Sequence, residues 1–273
     1  MTSYQANLNK MRSQRDEKIL SDPLHWLSLA GLFWLEEGEN SFGSDESNKI
    51  ALPAFPAPRC GSLYFENGKV TLRPAKDVTV SSNRSSLENR LLISDVDKEP
   101  DLINIGNLTM KIIVRGSATL VRIWDREAPA KKEFSGFKYY PAKEEYVVKA
   151  KYIRFDPPKT VKRVDVIGTE TEGSFLGQAQ FTLHGVNCTL EAEKDGNELL
   201  FHFTDGTSKI TTYGGGRKFR IPQTDKDEII LDFNLTENWP CAYTPFATCP
   251  VVINENRLPI KIEAGEKNYF DHE

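Results

Sequence analysis

Hydrophobic residues near the N-terminus recur at helical spacing. Between Ser3 and Leu20 the residues Tyr4, Leu8, Met11 and Ile19 lie among charged residues, and the sequence Ser21-Asp22-Pro23 ends the pattern. Residues 24–35 then leave almost no polar face, which is typical of a buried helical turn that continues into a strand. The pattern predicts an N-terminal helical segment within residues 1–40.

Beyond residue 40 the helical period is lost, and short alternating hydrophobic and polar runs follow one another between Gly, Asn and Asp. The sequence Asn67-Gly68 predicts a type I′ hairpin turn, because both positions readily take positive φ angles. Evenly spaced short strands favour antiparallel sheets over alternating βαβ units. We predict a mainly β protein, an antiparallel β-sandwich or partly closed barrel with a short N-terminal helical segment. The β domain covers residues 41–267 and can divide into two halves near residues 135–145.

The alternating runs define individual strands. Around Asp156-Pro157-Pro158 they predict a turn between two strands. The predicted strands are Ser62–Phe65, Val70–Leu72, Asn89–Ile93, Leu108–Val114, Ala118–Trp124, Tyr146–Phe155, Val161–Ile167, Gly173–Leu183, Cys188–Ala192, Leu199–Phe203, Lys209–Tyr213 and Ile229–Phe233.

Composition places the chain among ordinary globular proteins. It has 273 residues, 39% of them hydrophobic and 27% charged. The hydrophobic fraction is too high for a disordered protein, and the charged fraction is too high for a bundle of membrane helices. A net charge of −4 gives no basic excess for nucleic acid. No apolar run reaches the roughly 18 residues of a membrane helix, and the first residues do not resemble a signal peptide. We expect a cytoplasmic protein that binds neither nucleic acid nor membranes, and the sequence does not indicate an oligomeric state.

The segment from residue 213 onward departs from plain strands and turns. Three glycines precede Arg217, and a loop over residues 234–257 contains several prolines, aromatic residues and cysteines. Glycines let backbone amides approach a ligand, and a guanidinium binds carboxylate or phosphate through two hydrogen bonds. The turn therefore predicts an anion site covered by the loop. The structural alternative is a β-bulge or tight turn in which Arg217 forms an ion pair.

From this pattern we expect the protein to bind a small anionic or polar molecule, with no cofactor. The predicted ligand-binding residues are Tyr213, Gly214, Gly215, Gly216, Arg217, Asn234, Tyr243, Asn256 and Arg257. One alternative is a metal-independent hydrolase in which Asp232 or Glu263 is the general base and Arg217 and Arg257 stabilise an anion. In a purely structural alternative, Asp232 pairs with Arg217 or Arg257 and fastens the loop. A structural interaction module is the third functional class.

Cys241 and Cys249 lie in the same loop, and their spacing alone allows a disulfide, a redox couple, two metal ligands or buried free thiols. The histidines do not group with these cysteines as zinc ligands do, so no metal site is predicted. We expect reduced, buried thiols. His184 and His202 each oppose hydrophobic neighbours on a strand, which predicts that both histidines face solvent.

The C-terminal half also resembles a known family. The matching residues are Tyr213-Gly214-Gly215-Gly216-Arg217, Leu231-Asp232-Phe233-Asn234, Pro240-Cys241-Ala242-Tyr243-Thr244-Pro245, Ala247-Thr248-Cys249-Pro250, Asn256-Arg257-Leu258-Pro259 and Ala264-Gly265-Glu266. The chain is similar to the family catalogued as domain of unknown function 1684, which is found chiefly in bacteria. With weaker upstream matches the resemblance extends over roughly residues 22–267. It implies no particular activity.

Overall fold

The computed structural model of the chain describes residues 2–83 and 90–270. These residues form two compact units. One unit, called here the C-terminal unit, comprises residues 2–17 and 135–270, and the other comprises residues 18–83 and 90–134. The fold is mainly β with antiparallel sheets and one N-terminal helix, which confirms the predicted class.

The unit that contains residues 18–134 is built from two open sheets. The five-stranded sheet has the order β1-β9-β8-β7-β6 and the four-stranded sheet has the order β3-β2-β4-β5. Neighbouring strands are antiparallel apart from β2 and β3. The strands are β1 (Leu29–Trp34), β2 (Gly38–Gly43), β3 (Ile50–Ala51), β4 (Gly61–Glu66), β5 (Lys69–Pro74), β6 (Ser81–Ser82), β7 (Ile103–Ile105), β8 (Leu108–Arg115) and β9 (Ala118–Asp125).

Both sheets of this unit contribute to one hydrophobic core, as in a sandwich. Phe42 and Leu63 enter the core from one sheet, and Met110 and Ile123 enter it from the other. The hairpin of β4 and β5 turns at Asn67 and Gly68, which have φ angles of 51° and 75°. The predicted strand Asn89–Ile93 begins outside the described residues, and within them only Leu91 makes a bridge, to Thr71.

The C-terminal unit contains one open antiparallel sheet of seven strands in the order β15-β10-β11-β12-β13-β14-β16. The two edge strands do not pair with each other, so this sheet does not close into a barrel. The strands are β10 (Val147–Val164), β11 (Glu170–Leu183), β12 (Val186–Asp195), β13 (Glu198–Phe203), β14 (Arg217–Pro222), β15 (Glu228–Asp232) and β16 (Glu237–Asn238).

Two local predictions in this unit are wrong. Pro157 and Pro158 do not end a strand, because the register between β10 and β11 shifts between Arg154 and Lys159. At such an irregularity not every residue has to donate a backbone hydrogen bond to the neighbouring strand, so proline, which has no N–H, can lie there. Residues 209–213 are also not a strand, since several amides of this stretch bond back to the carbonyl of Thr207 and form a compact turn.

The core of the C-terminal unit centres on aromatic side chains from three elements. Phe203, Phe219 and Phe233 pack edge to face with ring centroids 5.4 to 6.2 Å apart. An extended segment outside the sheet, residues 258–264, covers this core. Its even-numbered side chains are buried and its odd-numbered ones are exposed, which is the period of a strand.

Helix α1 (Ser3–Ser21) confirms the predicted N-terminal helix, and a short helical turn over Trp26–Ser28 leads into β1. A second short helix, α2, covers Pro129–Lys132. Leu8 is buried in α1, whereas Met11 keeps 45% of its surface exposed. In the described part of the chain, no helix combines the length and the apolar character needed to cross a membrane.

Candidate functional site

The glycine-rich turn lies between β13 and β14 of the C-terminal unit. Gly216 has a φ of +90°, and a Cβ atom there would lie 2.5 Å from the carbonyl oxygen of Phe203. Both observations require glycine at this position. A Cβ atom on Gly214 would lie 2.7 Å from Cγ of Lys209, so the missing side chain leaves room for the lysine stem.

A cavity of about 300 Å³ opens beside this turn, and we call it the glycine-turn cavity. The turn forms one wall, and the loop predicted to cover it supplies another through residues 251–257. The lining residues are Thr204, Asp205, Ser208, Lys209, Gly214, Gly215, Val251, Val252 and Arg257. Its volume is at the lower end of the range for small-molecule sites.

The electrostatics of the glycine-turn cavity favour an anion. Lys209 and Arg257 are exposed, and neither has a carboxylate within 4.0 Å among the described residues. The lone acidic residue of the lining, Asp205, is buried and fully engaged. One of its oxygens accepts from Thr207 and Ser208, and the other accepts from the Ile262 amide and a guanidinium.

That guanidinium belongs to Arg217, which is not exposed to the cavity. Its side chain is 1% exposed, and its Nη2 lies 3.1 Å from Oδ2 of Asp205, whose side chain is fully buried. The same fork donates to the carbonyl oxygens of Ile262, Ala264 and Glu266. Alternate carbonyls of an extended chain point to one side, so one guanidinium can satisfy all three.

Arg217 therefore fastens the 258–266 segment to the sheet, as the structural alternative anticipated for this residue. The predicted partner was wrong, because Arg217 pairs with Asp205 and not with Asp232. The sequence pattern did not mark Asp205 as a candidate site residue. Its distance of 12 positions from Arg217 gave no sign that the two side chains meet across the β13–β14 connection.

Three other predicted ligand residues are buried and bonded within the protein. Asn256 joins β12 to β13 through the backbone of Glu191 and the carbonyl of His202. Asn234 exchanges two hydrogen bonds with the backbone of Lys143. Tyr243 donates its hydroxyl proton to buried Glu266. These side chains shape the loop, and none of them lines the glycine-turn cavity.

The two candidate bases lie elsewhere. Asp232 accepts from the Tyr4 hydroxyl at 2.8 Å and from the Asn234 amide at 3.0 Å, which caps a short helical turn. Glu263 is exposed on the outer side of the extended segment. Neither carboxylate lines the glycine-turn cavity, so the structure does not assemble the base and anion hole of the hydrolase alternative there.

Tyr213, the remaining predicted residue, interacts with a cysteine pair. All four cysteines are free, and three are buried as expected, whereas Cys241 is half-buried. The Cys241 backbone amide donates to the Cys249 sulfur at 3.3 Å. Interaction with the Cys249 thiol, together with that with the Tyr213 hydroxyl, lowers the pKa of the Cys241 thiol against the effect of burial, and the pKa of Cys249 rises correspondingly.

We expect Cys241 to be the thiol that iodoacetamide alkylates first in the folded protein. Replacing Tyr213 with Phe removes a donor to the thiolate, so the pKa of Cys241 should rise and its alkylation at neutral pH should slow. Peptide mass spectrometry over a pH series measures both quantities. Cys60 and Cys188, whose thiol pKa values are raised by burial, are internal controls. Equal labelling of all four cysteines, or an unchanged rate in the variant, would contradict the assignment.

His202 does not face solvent as predicted, although His184 does. Strand β13 is covered on both sides, and His202 is 4% exposed with its ring centroid 5.0 Å from that of Trp239. Nε2 lies 3.1 Å from the carbonyl oxygen of Gly215, and Nδ1 is buried without a hydrogen-bond partner. Burial lowers the pKa of His202 to about 3, so the ring is neutral and donates from Nε2 to the back of the glycine turn.

Within residues 2–83 and 90–270, no group of three or more His, Cys, Asp or Glu side chains is arranged to hold a metal ion.

Comparisons with known proteins identify the family. No curated protein matches the chain. The solution NMR structure of an uncharacterised protein from Haloarcula marismortui is similar, with 26% identity over 52% of this chain and 82% of that one and a TM-score of 0.45. Residues 132–267 match the model of the family described as "Protein of unknown function (DUF1684)". The match covers the described strands of the C-terminal unit and the glycine-turn cavity. Through this region the chain belongs to the DUF1684 family.

Proposed function

We propose that the C-terminal unit binds a small anion in the glycine-turn cavity. Lys209 and Arg257 bind the charge, and the backbone at Gly214 and Gly215 forms the adjoining wall. The observation that carries the proposal is a pair of cations with no carboxylate partner among the described residues, in a lining whose acid is already neutralised by Arg217.

Unpaired cations on two walls of one cavity repel each other, and an anion between them removes that repulsion. The guanidinium of Arg257 can bind two oxygens of a phosphate or carboxylate, whereas the Lys209 ammonium acts as a point charge. A cavity of about 300 Å³ suits phosphate or a compact polycarboxylate better than a nucleotide cofactor. The proposal concerns binding, since neither candidate base lines the cavity.

Titration of the ¹⁵N-labelled protein with inorganic phosphate and with citrate tests this function. We expect the amide signals of Gly214 and Gly215 to shift saturably with at least one of the two anions. Each charge-assisted hydrogen bond contributes roughly 1.5 kcal/mol, so Lys209→Ala and Arg257→Ala should each weaken binding about tenfold. Added sodium chloride should weaken it further, because salt screens exposed charges.

Lys194→Ala is the matched control, because Lys194 is also an exposed cation of the C-terminal unit but does not line the cavity. This variant should bind as the wild type does. Binding that survives the loss of both Lys209 and Arg257, or glycine signals that respond to neither anion, would overturn the proposal. Thermal melts of each variant establish that the fold is intact.

A further inference from the structure

A second cavity lies along helix α1 within the C-terminal unit, and we call it the α1 cavity. Its volume is about 330 Å³, and no residue lines both this cavity and the glycine-turn cavity. One wall is the helix, and the opposite wall comes from β14 and the turn before β16. The lining residues are Leu8, Met11, Arg12, Arg15, Tyr139, Phe219, Arg220, Asn234, Leu235, Thr236 and Glu237.

The acid in this lining is neutralised by its neighbours. Glu237 lies 3.0 Å from Arg15, 2.6 Å from Lys218 and 3.5 Å from Arg220. Although burial opposes ionisation, these cations together hold the pKa of Glu237 below its usual value, so the carboxylate is charged and paired. Arg15 also pairs with the buried carboxylate of Glu266, at 2.8 Å.

Arg12 differs from the other two arginines of the lining. No carboxylate lies within 4.0 Å of it in the described part of the chain, and its Nε is buried without a hydrogen-bond partner. The two terminal nitrogens reach only the carbonyl oxygens of Tyr140 and Asn234, each at 3.4 Å. The guanidinium carbon Cζ lies over the Tyr139 ring, 4.1 Å from its centroid. Arg12 is thus held in place with most of its five N–H donors unused.

Four side chains of the lining are aliphatic or aromatic without a polar group, namely Leu8, Met11, Phe219 and Leu235. Leu8 and Phe219 are buried at the base, with 2% and 3% of their surfaces exposed. Met11 and Leu235 are 45% and 37% exposed. A ligand that covers these two side chains removes apolar surface from water, which favours binding. The α1 cavity therefore combines these apolar side chains with one guanidinium that has no carboxylate within 4.0 Å among the described residues, whereas the glycine-turn cavity presents two such cations.

We propose that the α1 cavity binds a small organic monocarboxylate with an apolar body. The carboxylate accepts from the Arg12 guanidinium, and the apolar body contacts Met11, Leu235 and Phe219. This site goes beyond the proposed function, because it uses different residues and selects a ligand with a different balance of charge and apolar surface.

The test uses 3-phenylpropionate, hexanoate and the neutral analogue 3-phenylpropionamide as probes of the ¹⁵N-labelled full chain. We expect both carboxylates to shift the amide signals of Met11 and Leu235 saturably. The amide should bind about tenfold more weakly, because it lacks the charge-assisted hydrogen bonds. Arg12→Lys keeps the charge and the helical propensity but removes the planar fork, so it should also weaken 3-phenylpropionate binding about tenfold.

Lys10→Met is the matched control, since Lys10 is an exposed cation of the same helix and does not line the cavity. It should leave binding unchanged. Arg257→Ala should also leave it unchanged, which separates this site from the glycine-turn cavity. The proposal is overturned if neither carboxylate shifts these signals, if the amide binds as tightly as the acid, or if Arg12→Lys binds like the wild type. The amide signals of Met11 and Leu235 are followed in the wild-type protein, so the titration tests the proposal even if a variant fails to fold.

Discussion

Replacing Arg217 with methionine is expected to lower the free energy of unfolding by roughly 3 to 5 kcal/mol, the usual cost of removing one member of a buried ion pair. The variant leaves the Asp205 carboxylate in the interior without its cation and deprives the carbonyls of Ile262, Ala264 and Glu266 of their donor. Urea denaturation of the wild type and the variant at neutral pH measures the difference.

Arg220→Met is the matched comparison, because Arg220 lies three residues away on the same strand with 29% of its side chain exposed. Its ion pairs with Asp195, Glu198 and Glu237 are all partly exposed to solvent, so the loss should stay within about 1 kcal/mol. Asp205→Asn combined with Arg217→Met should recover part of the larger loss, because it removes the stranded charge. If Arg217→Met and Arg220→Met cost the same, Arg217 does not fasten the segment.

The second large effect concerns pH and His202. The pKa of His202 is about 3 in the folded protein, against about 6.5 for an unperturbed histidine. Below about pH 6.5 the unfolded chain binds a proton that the folded chain does not, so this residue makes stability fall as the pH falls toward 3. Between about pH 7 and about pH 5 the contribution of His202 to the free energy of unfolding should decrease by about 2 kcal/mol.

Carboxylates also titrate as the pH falls, so the measured quantity is the difference between the wild type and His202→Gln. That variant cannot take up the proton and should lose about 2 kcal/mol less than the wild type between about pH 7 and about pH 5. His184→Gln is the control, because His184 is exposed on a turn, and its pH dependence should match that of the wild type. If the free energy of unfolding depends on pH in the same way in the wild type and in His202→Gln, His202 takes up its proton as readily in the folded protein as in the unfolded chain, and the prediction fails.

The parts of the fold that follow from local pattern could be predicted. Asn67-Gly68 specifies its turn through the backbone angles of two adjacent residues, and it forms as expected. The helical spacing before Ser21 likewise produces α1. In both cases the information lies within a few neighbouring positions, where propensity and hydrophobic period act directly.

The mispredictions arise where a second layer covers a strand. The alternation around His202 indicates which side chains share a face, but it does not show that irregular chain covers the second face as well. The partner of Arg217 depends on how the β13–β14 connection folds back, which no local period encodes. Within the candidate site, the sequence located the turn, Gly214, Gly215 and Arg257, but Lys209 was assigned to a strand. It also did not indicate that Arg12 would line a cavity with Asn234.

The position of α1 has a consequence for the order in which the chain can fold during synthesis. Arg15 is made before its partners Glu237 and Glu266, which follow it by 222 and 251 positions along the chain. Until these two residues emerge from the ribosome, Arg15 cannot form either ion pair. The same separation affects expression of the family region alone. Residues 132–267 include Glu266 but lack Arg15, and an isolated fragment would bury that carboxylate without its cation.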